Sequence, residues 1–338
     1  MILAKKPLET NICKILLYFC NMKKLHQNIQ NWYKTHGRLD LPWRTTKDPY
    51  HIYLSEVMLQ QTQVKTVLER YYFPFLKKFP TLKALGDAPL DDVLKMWEGL
   101  GYYNRAKNLH KTATLIEKLP SSIDELVKLP GIGKNTAHAV ASFAYKKPVP
   151  IMEANVKRIL CRLHKLKTPS DKELWKIAYD MVNKKNPFDY NQAMMDIGAT
   201  LCTPKNPDCE TCPLSRMCQG KIDPILYPTK KKRIVPTREE NIMLYVYNEN
   251  LSLTQRKGKF LHGLWGFDNI EVPLCASEYI GEVTHAYTHF KLICKVYVYN
   301  ELDAEQTNYF TSTEIQKLAI SKVDDKILKL YLDTIQTY

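Results

Sequence analysis

The segment Leu129-Pro130-Gly131-Ile132-Gly133-Lys134-Asn135-Thr136 constrains this chain more than any other. Its two glycines close a tight turn between an apolar helical stretch, Ile123 to Lys128, and an alanine-rich one, Thr136 to Ala144. With no side chains in the way, backbone N–H groups at Gly131 and Gly133 can approach a phosphate closely, and the next helix adds the positive end of its dipole. A plain glycine turn between helices is the simpler reading. The full string is more specific than a lone Gly-x-Gly, and it predicts two helices joined by a hairpin able to grip a nucleic-acid backbone without reading bases.

Charge points the same way. Among 338 residues, 49 Lys and Arg outnumber 35 Asp and Glu for a formal net charge of +14. Such an excess suits a polyanion, because neutralised phosphates release their counterions; a soluble basic protein without such a partner carries the same charge. Nine cysteines are too few for a disulfide scaffold, and four of them crowd into one short segment, as expected in a reducing compartment such as the cytoplasm. Near the N-terminus only Ile12 to Cys20 is apolar, Lys14 interrupts it, and it is too short to span a bilayer. No membrane role is expected.

The length accommodates two domains. Residues 1–24 form an extension of uncertain role, with Met22 an alternative start. From Leu25 to about Thr200 the hydrophobic pattern is helical throughout, punctuated by turns such as Lys47-Asp48-Pro49, so residues 25–222 are expected to form an all-α domain. Residues 223–240, rich in Pro and Lys and containing Lys230-Lys231-Lys232-Arg233, read as a solvated linker rather than a dedicated DNA contact. Beyond it, β-rich runs at Ile242 to Tyr247, Leu251 to Arg256 and Leu292 to Tyr299, then a helical tail from Asp325 to Tyr338, predict an α+β domain over 241–338.

Two further features carry chemistry. Glu56 falls in a predicted helix from Ile52 to Tyr71, on the face shared by Ile52, Leu59 and Val67. Burial there would raise its pKa and suit it to general-acid work, although periodicity alone favours a carboxylate at the edge of a core face. Cys202, Cys209, Cys212 and Cys218, spaced C-x6-C-x2-C-x5-C with three prolines stiffening the loop, demand a metal centre, and the spacing accepts zinc or an iron–sulfur cluster.

Together these elements resemble the helix-hairpin-helix DNA glycosylases, in particular their adenine-specific branch, over roughly residues 25 to 300. The resemblance rests on Leu41-Pro42-Trp43-Arg44, Ser55 to Gln63, Gly99-Leu100-Gly101-Tyr102-Tyr103, the hairpin, Asn155-Val156-Lys157-Arg158, Asn191 to Asp196 and the four cysteines. It implies a mainly α fold of two helical lobes with an iron–sulfur loop, followed by a Nudix-like α+β domain. It turns the undecided metal into a [4Fe-4S] cluster held by Cys202, Cys209, Cys212 and Cys218, structural and DNA-associated rather than bond-breaking. The implied reaction is hydrolysis of the N-glycosidic bond of adenine mispaired with 8-oxoguanine or guanine in duplex DNA, by a monomer associated with the bacterial nucleoid.

The same resemblance distributes roles. Glu56 would protonate the flipped adenine, and Glu153 would stabilise the oxocarbenium-like sugar. Gln61, Thr62, Leu100 and Tyr102 would read or fill the gap at the opposing base, Arg44 would sit in the adenine pocket, and Gly131, Gly133, Asn135 and Asn155 would contact DNA. Tyr287-Thr288-His289 stands where the family has Phe-Ser-His for 8-oxoguanine, keeping an aromatic, a hydroxyl and an imidazole. No run of metal-binding glutamates typical of Nudix hydrolases follows, so nucleotide hydrolysis is not expected. Two departures stand out. Glu153-Ala154-Asn155 replaces the family's Asp-Gly-Asn, lengthening the second carboxylate by a methylene, and Asn135 stands where bifunctional relatives have a lysine nucleophile. An amide cannot form a Schiff base. The rival expectations are a bifunctional glycosylase and lyase of endonuclease III type, and a catalytically weak lesion-binding protein of the same fold.

Overall fold

The computed structural model describes residues 8–229, 234–301, 303, 306 and 308–336, with side chains from Cys20 onward. The expected basic run Lys230 to Arg233 and the first seven residues of the N-terminal extension lie outside the described residues. The chain divides into two compact units, one drawn from Met1–Gln60 and Lys118–Lys231, the other from Gln61–Glu117 and Lys232–Tyr338. Helices between residues 61 and 117 thus group with the C-terminal sheet, a division that hydrophobic periodicity cannot reveal.

The first unit is helical. Its core combines Leu25, Ile29 and Tyr33, one helical turn apart on Leu8–His36, with Val156, Ile159 and Leu160 of Ala154–Leu163 and Ala193, Met194 and Ile197 of Pro187–Thr200. A smaller cluster joins Ile52 of helix Pro49–Met58 to Ala139 and Phe143 of helix Lys134–Tyr145 and to Ile151. Helices Ala154–Leu163 and Pro187–Thr200 approach so closely at Gly198 that an added Cβ would meet Asn155 Cβ at 2.5 Å. Arg158 spans that contact, donating from Nη2 to Gly198 O at 2.7 Å and to Asn155 Oδ1 at 2.8 Å.

One buried ion cluster locks the same unit. Asp196, 0% exposed, accepts from Arg44 Nη1 at 2.7 Å and Nη2 at 2.8 Å. It also accepts from the Arg38 backbone N–H at 2.9 Å and from Arg38 Nε at 2.8 Å. Burial pushes this carboxyl up, but hydrogen bonds and charge from Arg44, aided by Arg38, hold it below the usual range.

The second unit begins with short helices, Val64–Arg70, Tyr72–Lys78, Leu82–Asp87, Leu90–Met96 and Asn104–Leu115, packed around Phe75 and Trp97, whose rings meet edge-on at 5.8 Å. Its sheet runs in the order Glu278–Ala286, Lys291–Tyr299, Thr237–Tyr247, Asn250–Ser252, Tyr309–Phe310, with Asp268–Ile270 also paired to Thr237–Tyr247. Thr237–Tyr247 and Lys291–Tyr299 are parallel, with Ile242 opposite Val296; the other pairs are antiparallel. Val323, Ile327 and Tyr331 of helix Lys322–Ile335 cover Val283, Leu292, Cys294 and Val296.

Several expected boundaries move. The predicted helix from Ile52 to Tyr71 is two helices, Pro49–Met58 and Val64–Arg70, because Gln61 takes a left-handed φ of 59° that breaks the hydrogen-bond ladder. The predicted linker ends earlier than residue 240, since Thr237 already begins a strand fixed by pairing with Lys291. Glu278–Ala286 escapes the sequence pattern because only Val283 along it is fully buried. The second helix of the hairpin starts at Lys134, with Gly133 as its cap, and the first is a short Ile123–Leu126.

Replacing Asp196 by asparagine leaves Arg44 buried without a counter-charge. The expected loss is about 3–5 kcal/mol of unfolding free energy, read by chemical denaturation.

Candidate active site

In the first unit, the fold brings two carboxylates from distant segments into each other's field. Pro49 opens the helix Pro49–Met58 and Asp48 caps it, accepting from Tyr50 N–H at 2.8 Å. Every residue from Ile52 to Met58 is buried except Glu56, which keeps a small accessible face. Burial raises the Glu56 carboxyl to about 8, the charge of Glu153 adds to the rise, and Arg44 opposes it. The helix edge that periodicity favours is therefore a desolvated position at which a carboxyl is held protonated near neutral pH.

Glu153 caps the helix Ala154–Leu163 in an extended conformation, and its side chain makes no capping bond. Its Oε1 is buried with no hydrogen-bond partner, while Asn155 donates to the carboxylate. Burial raises this group too, while Asn155, Arg158 and Arg38 pull it down. Asn155 thus stands beside Glu153, with its Oδ1 accepting from Arg158. Arg44, 9% exposed, lies in the bidentate grip of Asp196 and acts on Glu56 through its charge.

The hairpin has the geometry its glycines require. Gly131 adopts φ of 72°, the left-handed region, and both glycines are exposed. A Cβ at Gly133 would meet nothing within 4 Å, so the N-terminus of helix Lys134–Tyr145 is open to an approaching group. Asn135 Oδ1 accepts from Met152 N–H at 2.8 Å, turning toward the protein rather than outward. Lys134 places its ammonium 4.0 Å from the Trp175 ring centroid. Gln192, which the sequence does not single out, is a buried amide, 3% exposed. Its only sequence signal is the Asn191 to Asp196 motif that contains it.

The second unit brings other expected residues together. Tyr102, in a left-handed conformation with φ of 50°, is exposed, and its hydroxyl hydrogen-bonds the Thr288 hydroxyl. Arg105, which the sequence does not single out, donates to Thr62 Oγ1 at 3.2 Å and to Gly101 O at 3.1 Å and stacks over the Tyr102 and Trp97 rings. Gln61 occupies the helix break, while Leu100 is buried in the protein rather than presented to solvent. His289 is exposed. The extra hydroxyl of Tyr287 is buried among the rings of Phe260, His285 and Phe290 without a hydrogen bond of ordinary geometry, and burial drives its pKa well up.

The four clustered cysteines ring one cavity, closed on the other side by Arg162, Leu163 and Leu214. Four thiols around one cavity are a donor set that an iron–sulfur cluster takes. Burial pushes the Cys212 thiol up to about 12 and raises Cys209 and Cys218, each further raised by charge on Cys202. Arg162 Nη1 donates to Cys202 Sγ at 3.3 Å. Such a donor set fits a polynuclear cationic core.

Comparison with known proteins agrees with this geometry. Residues 54–184 match the HhH-GPD superfamily base excision DNA repair proteins, and residues 202–218 match the iron–sulfur binding domain of endonuclease III. A curated adenine DNA glycosylase of Buchnera aphidicola subsp. Baizongia pistaciae is 39% identical over 252 residues, covering 71% of each chain. The human adenine DNA glycosylase is 28% identical, covering 90% of this chain and 73% of its own. A thermostable thymine-DNA glycosylase of known structure superposes with TM-score 0.55 at 29% identity, covering 59% of this chain and 97% of its own. An endonuclease III structure determined with DNA, 22% identical with TM-score 0.51, shares the fold. The chain belongs to the HhH-GPD superfamily of base excision DNA repair enzymes, in its adenine DNA glycosylase branch, and carries that superfamily's iron–sulfur domain. Among the described residues no helix is long and apolar enough to cross a membrane.

A carboxyl whose folded pKa lies near 8 against 4.5 unfolded costs stability as pH rises from about 4.5 to 8, because only the unfolded chain readily gives up the proton. Glu56→Gln removes that cost. Its melting temperature should exceed the parent's by a few degrees at pH 8, with the difference vanishing toward pH 4.5.

Proposed function

We propose that this enzyme hydrolyses the N-glycosidic bond of adenine mispaired with 8-oxoguanine or guanine in duplex DNA, as a monomer and without a lyase step. The observation that carries the reading is the pair Glu56 and Glu153, in which the more desolvated member stays protonated to about pH 8. The target base must leave the stack, and a mispaired base costs less to extrude. Glu56 donates its proton to a ring nitrogen of the adenine as the glycosidic bond breaks, so the bonding pair leaves on a neutral base. Glu153, flanked by Arg158, Arg38 and Asn155, supplies the negative charge opposite the oxocarbenium-like sugar. The ionised Glu56 then takes a proton from the attacking water, restoring the acid.

Absence of a lyase step is supported by Asn135, whose amide cannot form a Schiff base, and by Lys134, whose ammonium is engaged with Trp175. Reading of the opposing base is supported by the hydrogen bond between Tyr102 and Thr288, which unites residues from two distant segments. Gln61, Thr62, His289 and the half-buried Tyr287 are assigned to the same task, and Gly131 and Gly133 to the phosphate backbone. The cluster held by Cys202, Cys209, Cys212 and Cys218 is assigned as [4Fe-4S], which ties the loop to helix Ala154–Leu163 through Arg162. Purified protein should then contain about four iron atoms and as many sulfides per chain.

A labelled duplex with one adenine opposite 8-oxoguanine, assayed with and without alkali, tests the reaction: strand scission should appear only after alkali. Binding without any abasic product would instead define a lesion-binding protein, and scission without alkali a lyase. Single-turnover rates should fall as pH rises through about 8, where Glu56 loses its proton. Glu56→Gln should abolish excision and preserve binding. Glu153→Asp should match or exceed the parent if the longer side chain is merely tolerated, and a large loss would mean that the pocket has adapted to glutamate.

A further inference from the structure

Residues Val149 to Met152, which deliver Glu153 to the site, run extended through the core without belonging to any sheet. Ile151 and Met152 are buried, so the backbone polar groups around them need partners within the protein. Three side chains supply them. Asn191 Nδ2 donates to Val149 O at 2.9 Å, and its Oδ1 accepts from Ile151 N–H at 3.0 Å. His138 Nδ1 lies 2.8 Å from Pro150 O and donates to it, with Nε2 left to the Tyr179 hydroxyl at 3.3 Å. Asn135 Oδ1 accepts from Met152 N–H at 2.8 Å, one residue before Glu153.

Two of these three residues, Asn135 and His138, stand one turn apart on helix Lys134–Tyr145, whose N-terminus is the open end of the glycine hairpin. The same helix contacts Ile151 through Ala139 and Phe143 and shares that cluster with Ile52, one turn before Glu56. Both carboxylates are thereby referred to one rigid element.

We propose that Asn135 and His138 are positioning residues that make the hairpin's second helix the jig for Glu153, so that the element facing the DNA backbone also sets the place of the charge facing the sugar. The inference rests on the role given to Glu153 above. It gives Asn135 a purpose in a position where an amine nucleophile is ruled out: its oxygen fixes the main chain that carries the longer carboxylate. Truncating that contact loosens the main chain that carries Glu153, a change that acts on the chemical step and leaves the phosphate grip in place.

The test compares Asn135→Leu, which has no acceptor, with Asn135→Asp, which keeps one, on the full-length, cluster-containing protein. Single-turnover excision should slow about 10- to 100-fold in Asn135→Leu, with affinity for a duplex carrying a non-cleavable adenine analogue within about twofold of the parent, as expected where the phosphate contacts that dominate affinity are kept. Asn135→Asp should recover most of the rate, and its alkaline limb should move to higher pH because the new charge disfavours ionisation of the carboxyl pair. Since Asn135 is only half-buried both variants should fold, with melting curves as the check, and His138→Phe tests the neighbouring bond with the same expected separation of rate from affinity. An Asn135→Leu variant as fast as the parent, or equal slowing in the leucine and aspartate variants, would overturn the inference. A parent that forms no abasic product would instead overturn the glycosylase reading on which it rests.

Discussion

The constraint on which the first unit depends is the burial of Asp196. A carboxylate wholly removed from water must be compensated in place, and two arginines from the stretch that follows the first long helix do so. That pairing fixes more than a chain path. Arg44 opposes the rise of the Glu56 pKa, and Arg38 opposes that of Glu153. One buried acid therefore holds the two cations that oppose the rise of the two carboxyls, Glu56 and Glu153. Stability and reactivity share a charge network, and substitutions in it act on both.

Glu56 and Glu153 differ in what surrounds them rather than in kind. Glu56 is desolvated by a helix buried on both sides and carries no hydrogen bond of its own among the described residues, so it keeps a proton. Burial raises Glu153 as well, but at a helix N-terminus its amide and guanidinium neighbours, Asn155, Arg158 and Arg38, offset part of that rise by favouring the ionised form. The acid and anion roles proposed for the pair rest on this difference in environment.

The second unit is organised by contacts across long stretches of sequence. Arg105 gathers Thr62, the Leu100-Gly101 carbonyls and the Tyr102 ring, and Tyr102 reaches Thr288. Further bonds, from Lys95 Nζ to Leu318 O at 2.9 Å and from Tyr103 to Ile320 O at 3.3 Å, join the helices to the sheet domain. Residues assigned to the opposing base are thus carried on one body, although the sequence assigns them to two domains.

By itself, the sequence determined the local chemistry: the glycine hairpin, the cysteine spacing, Glu56 within its motif and the change from helix to strand after the cysteines. These features are local because turn geometry, thiol spacing and hydrophobic period act over a few residues. Tertiary structure alone decided which groups meet. Asp196 with Arg38 and Arg44, Arg105 with Thr62, and Asn135, His138 and Asn191 around residues 149–152 are all polar residues without periodic signal, separated by up to 158 positions. The break at Gln61 was equally hidden, since apolar residues continue in phase across it. Buried polar groups must find partners wherever the fold brings them, a requirement invisible in any short window, and it was tertiary packing around the helix Pro49–Met58 that desolvated Glu56.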